Sequence, residues 1–151
     1  MSADTFVDTN VLVYARDTSA PQKQKRAEMW MHYLWQTRSG RLSYQVLQEF
    51  YVTVTEKLAP GLPPARAKED VLSLFAWEPI PTDRVVIEGA WRIQGRFKIA
   101  WWDSLIVSAA WLSKCTYLLT EDLQDGQDFE GMRIINPFSC TPADLFDAPS
   151  P

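Results

Sequence analysis

With 151 residues, 46% of them hydrophobic and 23% charged, the chain has the composition of one ordinary globular domain: a second domain has no room, and disorder or a fibrous repeat is excluded. A net charge of -4 excludes a protein that holds nucleic acid by its overall charge, so any contact with a polyanion must be local. Seven Trp and a 13% aromatic content predict a dense core and leave anchors for a protein partner.

Cys115 and Cys140 lack metal-type spacing and read as reduced thiols, a disulfide being the lesser alternative. No run of about 18 apolar residues occurs, and Met1 to Thr5 carries no basic and apolar leader; the expectation is a soluble, cytoplasmic protein with no membrane partner.

Phe6 and Val7 end a short buried strand, and Asp8, Thr9 and Asn10 follow where it stops. In open parallel α/β sheets that edge is where sites form. The alternative is that Asp8 caps the next helix, with Thr9 and Asn10 in the turn. Asp17 to Pro21 is a turn cluster, with Pro21 opening a helix capped by Ser19 or a neighbour. Ala27, Trp30, Met31 and Leu34 make its apolar stripe; Lys23, Lys25, Arg26 and Glu28 make its solvated side. His32, set among Trp30, Met31, Tyr33 and Leu34, reads as a packing residue.

Ser39-Gly40 ends that helix, Arg41-Leu42-Ser43 makes a very short strand, and Ser43 caps a helix through Val46, Leu47, Phe50 and Val54. Glu49 borders its apolar face, where a carboxylate either reaches inward or pairs with a peripheral base. Residues 59–64 form a proline-rich loop, and Pro64 starts a helix with Val71, Leu72 and Phe75 on its apolar face. After an extended piece from Glu78 to Pro81, Thr82 caps a helix that turns Val86, Ala90, Ile93 and Phe97 inward and is weakened by Gly89 and Gly95. Residues 91–102 interleave Arg92, Arg96 and Lys98 with Trp and Phe and contain no acid, a mixture suited to tracking phosphates and stacking on bases.

Residues 103–111 are nearly free of charge and predict a helix buried on most sides. Asp103 stands in its first turn, favoured by the helix dipole but heading a core-facing stripe, a costly place for a lone charge. Tyr117 to Thr120 is a second buried strand running into acids, Glu121 and Asp122; Asp125 and Asp128 read as loop acids. Met132 to Ile135 is a last strand stopped by Pro137. The domain is expected to occupy 1–140, with 141–151 a peripheral tail.

The alternation of strands and helices predicts an α/β fold with a mostly parallel sheet covered on both faces. Asp8 and Asp122 end two of its strands, and Asp103 and Glu49 can deliver oxygens to the same edge. Four carboxylates in one pocket suppress one another's ionisation unless a cation neutralises them. Hard oxygen donors without His or Cys suit Mg2+ or Mn2+, and such an ion beside phosphate does nuclease chemistry without a nucleophilic side chain.

The runs Phe6-Val7-Asp8-Thr9-Asn10-Val11-Leu12, Gln48-Glu49-Phe50, Trp102-Asp103-Ser104-Leu105-Ile106 and Leu119-Thr120-Glu121-Asp122-Leu123, in this order and followed by Asn136-Pro137-Phe138, resemble the PIN-domain ribonucleases, in particular the VapC toxins of bacterial toxin-antitoxin pairs. The resemblance covers Phe6 to Phe138; Ser104 stands where many relatives have alanine. It implies a PIN-like three-layer sandwich with about five short strands, and a Mg2+- or Mn2+-dependent endoribonuclease acting on tRNA or ribosomal RNA, commonly dimeric and held inactive by a cognate antitoxin. Asp8 and Asp103 would be the principal metal ligands, with Glu49 and Asp122 completing the catalytic pocket and Thr9, Asn10 and Thr120 as supporting polar groups. Arg92, Arg96 and Lys98 are the candidate RNA contacts. Two alternatives remain: a receiver-like domain phosphorylated on Asp8, and a non-catalytic interaction module.

Overall fold

The computed structural model describes residues 4–147. Strand β1 (Thr5–Val7) is wholly buried and leads through Asp8 into α1 (Thr9–Tyr14), a short helix that the sequence reading does not set apart. Pro21 opens α2 (Pro21–Thr37) as expected, but Ala20 stands at the cap position, because Ser19 is bound instead to the Asp17 carboxylate. After β2 (Gly40–Arg41), one residue earlier than expected, Ser43 caps α3 (Tyr44–Val52) by accepting from Val46 N. A π-turn over Thr53–Lys57 and the proline loop lead to α4 (Pro64–Leu74). Asp83, not Thr82, caps α5 (Arg84–Phe97), its carboxylate accepting from Val86 N. α6 (Trp101–Leu112) is buried continuously from Ser104 to Ala110, and β3 (Tyr117–Leu119), β4 (Asp128–Phe129), β5 (Met132–Ile135) and α7 (Pro142–Phe146) complete the described chain.

The strands form one sheet in the order β2-β1-β3-β5-β4, parallel except for the β4–β5 hairpin. From β1 the chain steps one way across the sheet to β2, then back past β1 to β3. Right-handed crossovers in opposite directions place their helices on opposite faces. The expected α/β sandwich with about five short strands is therefore what the chain forms. Val7 pairs with Leu119 and Leu119 with Ile135, so β1 and β3 stop level with each other. The strand order reverses between them, and the crevice outside such a switch point is where open α/β sheets bind ligands.

Two apolar faces differ from expectation. α4 turns Ala67 and Leu74 to the core and leaves Leu72 66% and Phe75 40% exposed. Both stripes have helical spacing; the core takes the one that fits against α3, and Leu72 and Phe75 remain beside Tyr44 and Val52 in an apolar groove of about 520 Å3. The segment from Thr141, expected to be peripheral, docks as far as Phe146. Thr141 and Asp144 form a capping box, and the Phe146 ring stacks on Tyr33 and meets Trp30 and Tyr117 edge-on. The remainder of the expected tail, 148–151, lies outside the described residues. His32, expected as a packing residue, is exposed on α2 at the wall of a surface cavity. Cys115 and Cys140 are free thiols. Among the described residues no helix is long and apolar enough to cross a membrane.

Candidate active site

Asp8 is fixed by the backbone before its side chain does anything: its N–H donates to Leu119 O, continuing the β1–β3 ladder by one residue. Its carboxylate is then divided between two tasks. Oδ1 accepts from Thr9 N at 2.7 Å, capping α1, and Oδ2 accepts from the buried Thr120 hydroxyl at 2.8 Å. The cap expected as one alternative for Asp8 is therefore formed, and it leaves the second carboxylate oxygen to Thr120. Thr120 is held in turn by its N–H to Ile135 O, and its Oγ1 accepts from Asp122 N.

Glu49 reaches the same edge from α3. Its Oε2 accepts from Thr9 Oγ1 at 2.8 Å and its Oε1 from Gln45 Nε2 at 2.8 Å, so it faces inward and has no basic partner among the described residues. Asn10 spans the strand ends: its Nδ2 lies 3.0 Å from both Thr120 Oγ1 and Asp122 Oδ2 and 3.4 Å from Asp8 Oδ2. The amide points its donors at the acids, which leaves Asn10 Oδ1 buried without a partner. Asp103 stands half-buried in the first turn of α6, at the same edge.

The electrostatics tie these acids together. Burial is the main cause that pushes the Asp8 carboxyl up to about 7; hydrogen bonds from Thr120 and Thr9 oppose it, and the charges of Asp122 and Glu49 add to it. Asp103 is also raised, first by burial and then by the same two carboxylates, Asp122 and Glu49. Asp122 and Glu49 thus lie near enough to both Asp8 and Asp103 for their charges to be felt at each.

The carboxylates suit a hard divalent cation in their chemistry, since burial and neighbouring charge disfavour the charged forms of Asp8 and Asp103 when no cation is present; beside them Asn10 Oδ1 is buried with no partner among the described residues. Among the described residues no three His, Cys, Asp or Glu side chains are gathered tightly enough to enclose an ion. Glu49 and Asp122 are each turned instead onto an internal donor, from Thr9 and Gln45 in one case and Asn10 in the other.

Other candidates fall elsewhere. Asp125 accepts from Asn136 N and Asp128 from Gly131 N, so both shape turns; Asp128 also begins β4, which the sequence reading takes for loop. Arg92 and Arg96 both bind the Glu130 carboxylate in the β4–β5 turn. That turn precedes β5 and so lies at the end of the sheet opposite to where β1 and β3 stop. Lys98 is exposed at the C-terminus of α5, in the loop that enters α6. Sequence reasoning missed Gln45, whose only signal is its spacing of four from Glu49 on a helix. It also missed Lys23, assigned to a solvated face: its Nζ bonds Glu121 Oε2 at 2.8 Å and lies over the Tyr14 and Phe138 rings.

A family model described as the PIN domain matches residues 5–125. Among solved structures, a toxin-antitoxin complex from Klebsiella pneumoniae is similar over 89% of this chain and 98% of its own, with a TM-score of 0.63 and 16% identity. A VapBC2 complex from Rickettsia felis, bound to a DNA fragment from its promoter, is similar over 86% of this chain and 96% of its own, with a TM-score of 0.57 and 14% identity. No curated protein matches the chain. At these identities the structural likeness speaks for the fold alone.

Proposed function

The chain belongs to the PIN-domain family, and on that premise we propose that it is a metal-dependent endoribonuclease, the toxin of a toxin-antitoxin pair, hydrolysing phosphodiester bonds in tRNA or ribosomal RNA. The observation that carries the reading is the pairing of Asp8 and Asp103 as raised acids whose charged neighbours are two further carboxylates, Asp122 and Glu49. Such a set is unfavourable by itself and becomes favourable around a cation. Bound there, Mg2+ or Mn2+ supplies activated water and polarises the scissile phosphate. Asp8 and Asp103 are its proposed principal ligands and Glu49 and Asp122 complete the set; Thr120, Thr9 and Asn10 keep Asp8, Glu49 and Asp122 aimed at the edge.

The test is cleavage of a mixture of tRNA and ribosomal RNA with Mg2+ or Mn2+ and with chelator. Discrete fragments are expected with metal alone, and Asp8→Asn or Asp103→Asn each abolishes them while the protein stays folded. Full activity of either variant overturns the assignment. The receiver alternative has little to stand on, since the late strand β3 runs into Thr120, Glu121 and Asp122 and offers no lysine.

The protein is further proposed to act in the cytoplasm as a homodimer under the control of an antitoxin. The two toxin-antitoxin complexes among its structural neighbours support the antitoxin, and the exposed apolar groove of Tyr44, Val52, Leu72 and Phe75 offers a surface for a protein partner. Co-purification from the native host with a small protein is expected; recovery of this chain alone counts against the antitoxin.

A further inference from the structure

Trp102 is 65% exposed, although it directly precedes Asp103 in the first turn of α6. Most other tryptophans have an evident structural place. Trp30 is buried and donates to the Pro137 and Cys140 carbonyls, Trp35 packs on Trp77, and Trp111 lies against the Arg92 guanidinium. The Trp102 side chain has no hydrogen-bond, ring or cation partner among the described residues. It walls a cleft of about 500 Å3 that is lined also by Gln45, Gln48, Glu49, Thr82 and Leu105.

This cleft adjoins the acid pocket from two directions: Glu49 is part of its wall, and Asp103 is the neighbour of Trp102. It contains no lysine or arginine, so it is not built to take a phosphate. A protein hot spot is enclosed by apolar surface, as the Tyr44 groove is; in this cleft the apolar walls of Trp102 and Leu105 are edged by the amides of Gln45 and Gln48, the Glu49 carboxylate and the Thr82 hydroxyl. An exposed indole face with amides and a hydroxyl around it fits a neutral, flat, hydrogen-bonding group. Unpaired RNA bases are held in that manner, stacked on an aromatic side chain and read along their edges. Of the two amides, Gln45 is committed to Glu49, while Gln48 is exposed and has no partner among the described residues.

We propose that Trp102 is the stacking platform for an unpaired base flanking the scissile phosphate, with the Gln48 amide facing that base's edge. The platform fixes which backbone phosphate comes over the acids, and Gln48 biases which base is accepted. This rests on the nuclease reading and deepens it by naming the residues that position the strand.

The test measures binding, not turnover, in an Asp8→Asn background, by fluorescence anisotropy with labelled oligo-A, oligo-C and oligo-U. Trp102→Ala is expected to weaken binding by about 5- to 150-fold, the range for loss of one stacked base, without changing its salt dependence; Trp102→Phe retains most of the affinity. Gln48→Ala narrows the differences among the three oligomers. Trp91, which is 61% exposed on α5, is the control, and Trp91→Ala leaves binding unchanged. If the Asp8→Asn protein binds RNA and adding Trp102→Ala makes no difference, the platform is wrong and the nuclease reading stands. If the Asp8→Asn protein binds none of the three oligomers, the platform falls, while the nuclease reading is decided separately by the cleavage of tRNA and ribosomal RNA. An equal loss from Trp91→Ala, or a Trp102→Ala defect confined to binding of a protein partner, also overturns the proposal.

Discussion

Because Asp8 caps α1 and is buried among acids, its proton couples folding to pH. The folded carboxyl titrates near 7, against about 3.9 for an unfolded aspartate. Between those values the native state binds the proton more tightly than the unfolded state. The resulting stabilisation is fully present below about pH 4 and is lost as pH rises through 7. In chelator, melting should therefore fall across that window, by at most about 4 kcal/mol from this group. Asp8→Asn removes the slope and melts no lower than the parent at pH 7. An amide still accepts from Thr9 N, and rotation of the Asn10 amide would offer its orphaned oxygen as a new acceptor. Melting curves in EDTA at several pH values check this; a variant melting well below the parent at pH 7 would make the carboxylate a structural requirement. An acid following a buried strand is a local signal, which is why Asp8 could be picked out from the chain. Gln45 could not, because nothing in its own neighbourhood separates it from any polar helical residue.

At the scale of elements, α5 contains two glycines that look alike in sequence and differ in space. A Cβ at Gly89 would collide with the Ser108 hydroxyl, which donates to Val86 O and holds α6 close to α5, whereas a Cβ at Gly95 would meet nothing within 4 Å. Gly95→Ala should stabilise by about 0.5–1 kcal/mol through helix propensity, and Gly89→Ala should destabilise by about 1–3 kcal/mol through overpacking. Denaturant midpoints of the two variants decide it, and equal effects would deny the close approach of α5 and α6. The same helix shows why charge placement resists sequence reading. Arg92 and Arg96 sit in a stretch suited to phosphate, yet both serve Glu130, a residue more than thirty positions onward. Neutralising both is expected to leave the salt slope of RNA binding nearly unchanged and to cost well under about 1 kcal/mol per pair in stability. Lys98→Gln, in the loop entering α6, should lower that slope. A slope flattened by the arginine pair would return them to the RNA surface.

For the whole molecule, the alternating pattern of buried strands and helices was legible because hydrophobic periodicity is local, and with it the parallel sheet and the acids at two strand ends. The face of α4 left outside and the docking of α7 through Phe146 were not, since each depends on which of several apolar stripes the finished core selects. The nearness of Asp8 and Asp122 is likewise a product of topology, as the β2-β1-β3 order sets the ends of β1 and β3 side by side, and helix packing brings Glu49 and Asp103 within range of their charges. That convergence has a consequence for the intact protein. With a net charge of -4 and acids raised by burial and then by neighbouring carboxylates, a divalent ion that binds only the folded site must stabilise the whole domain. At about 100 times its dissociation constant the gain is about 2.7 kcal/mol, which for a chain of this size raises the melting temperature by about 5–10 °C. Mn2+ or Mg2+ should produce that rise at fixed ionic strength, while matched monovalent salt should not. Asp8→Asn and Asp103→Asn should each shrink it and shift it to higher metal concentration. A rise that persists undiminished in the Asp8→Asn, Asp103→Asn double variant would place the ion elsewhere and leave the pocket as a crowd of carboxylates without a counter-ion to explain it.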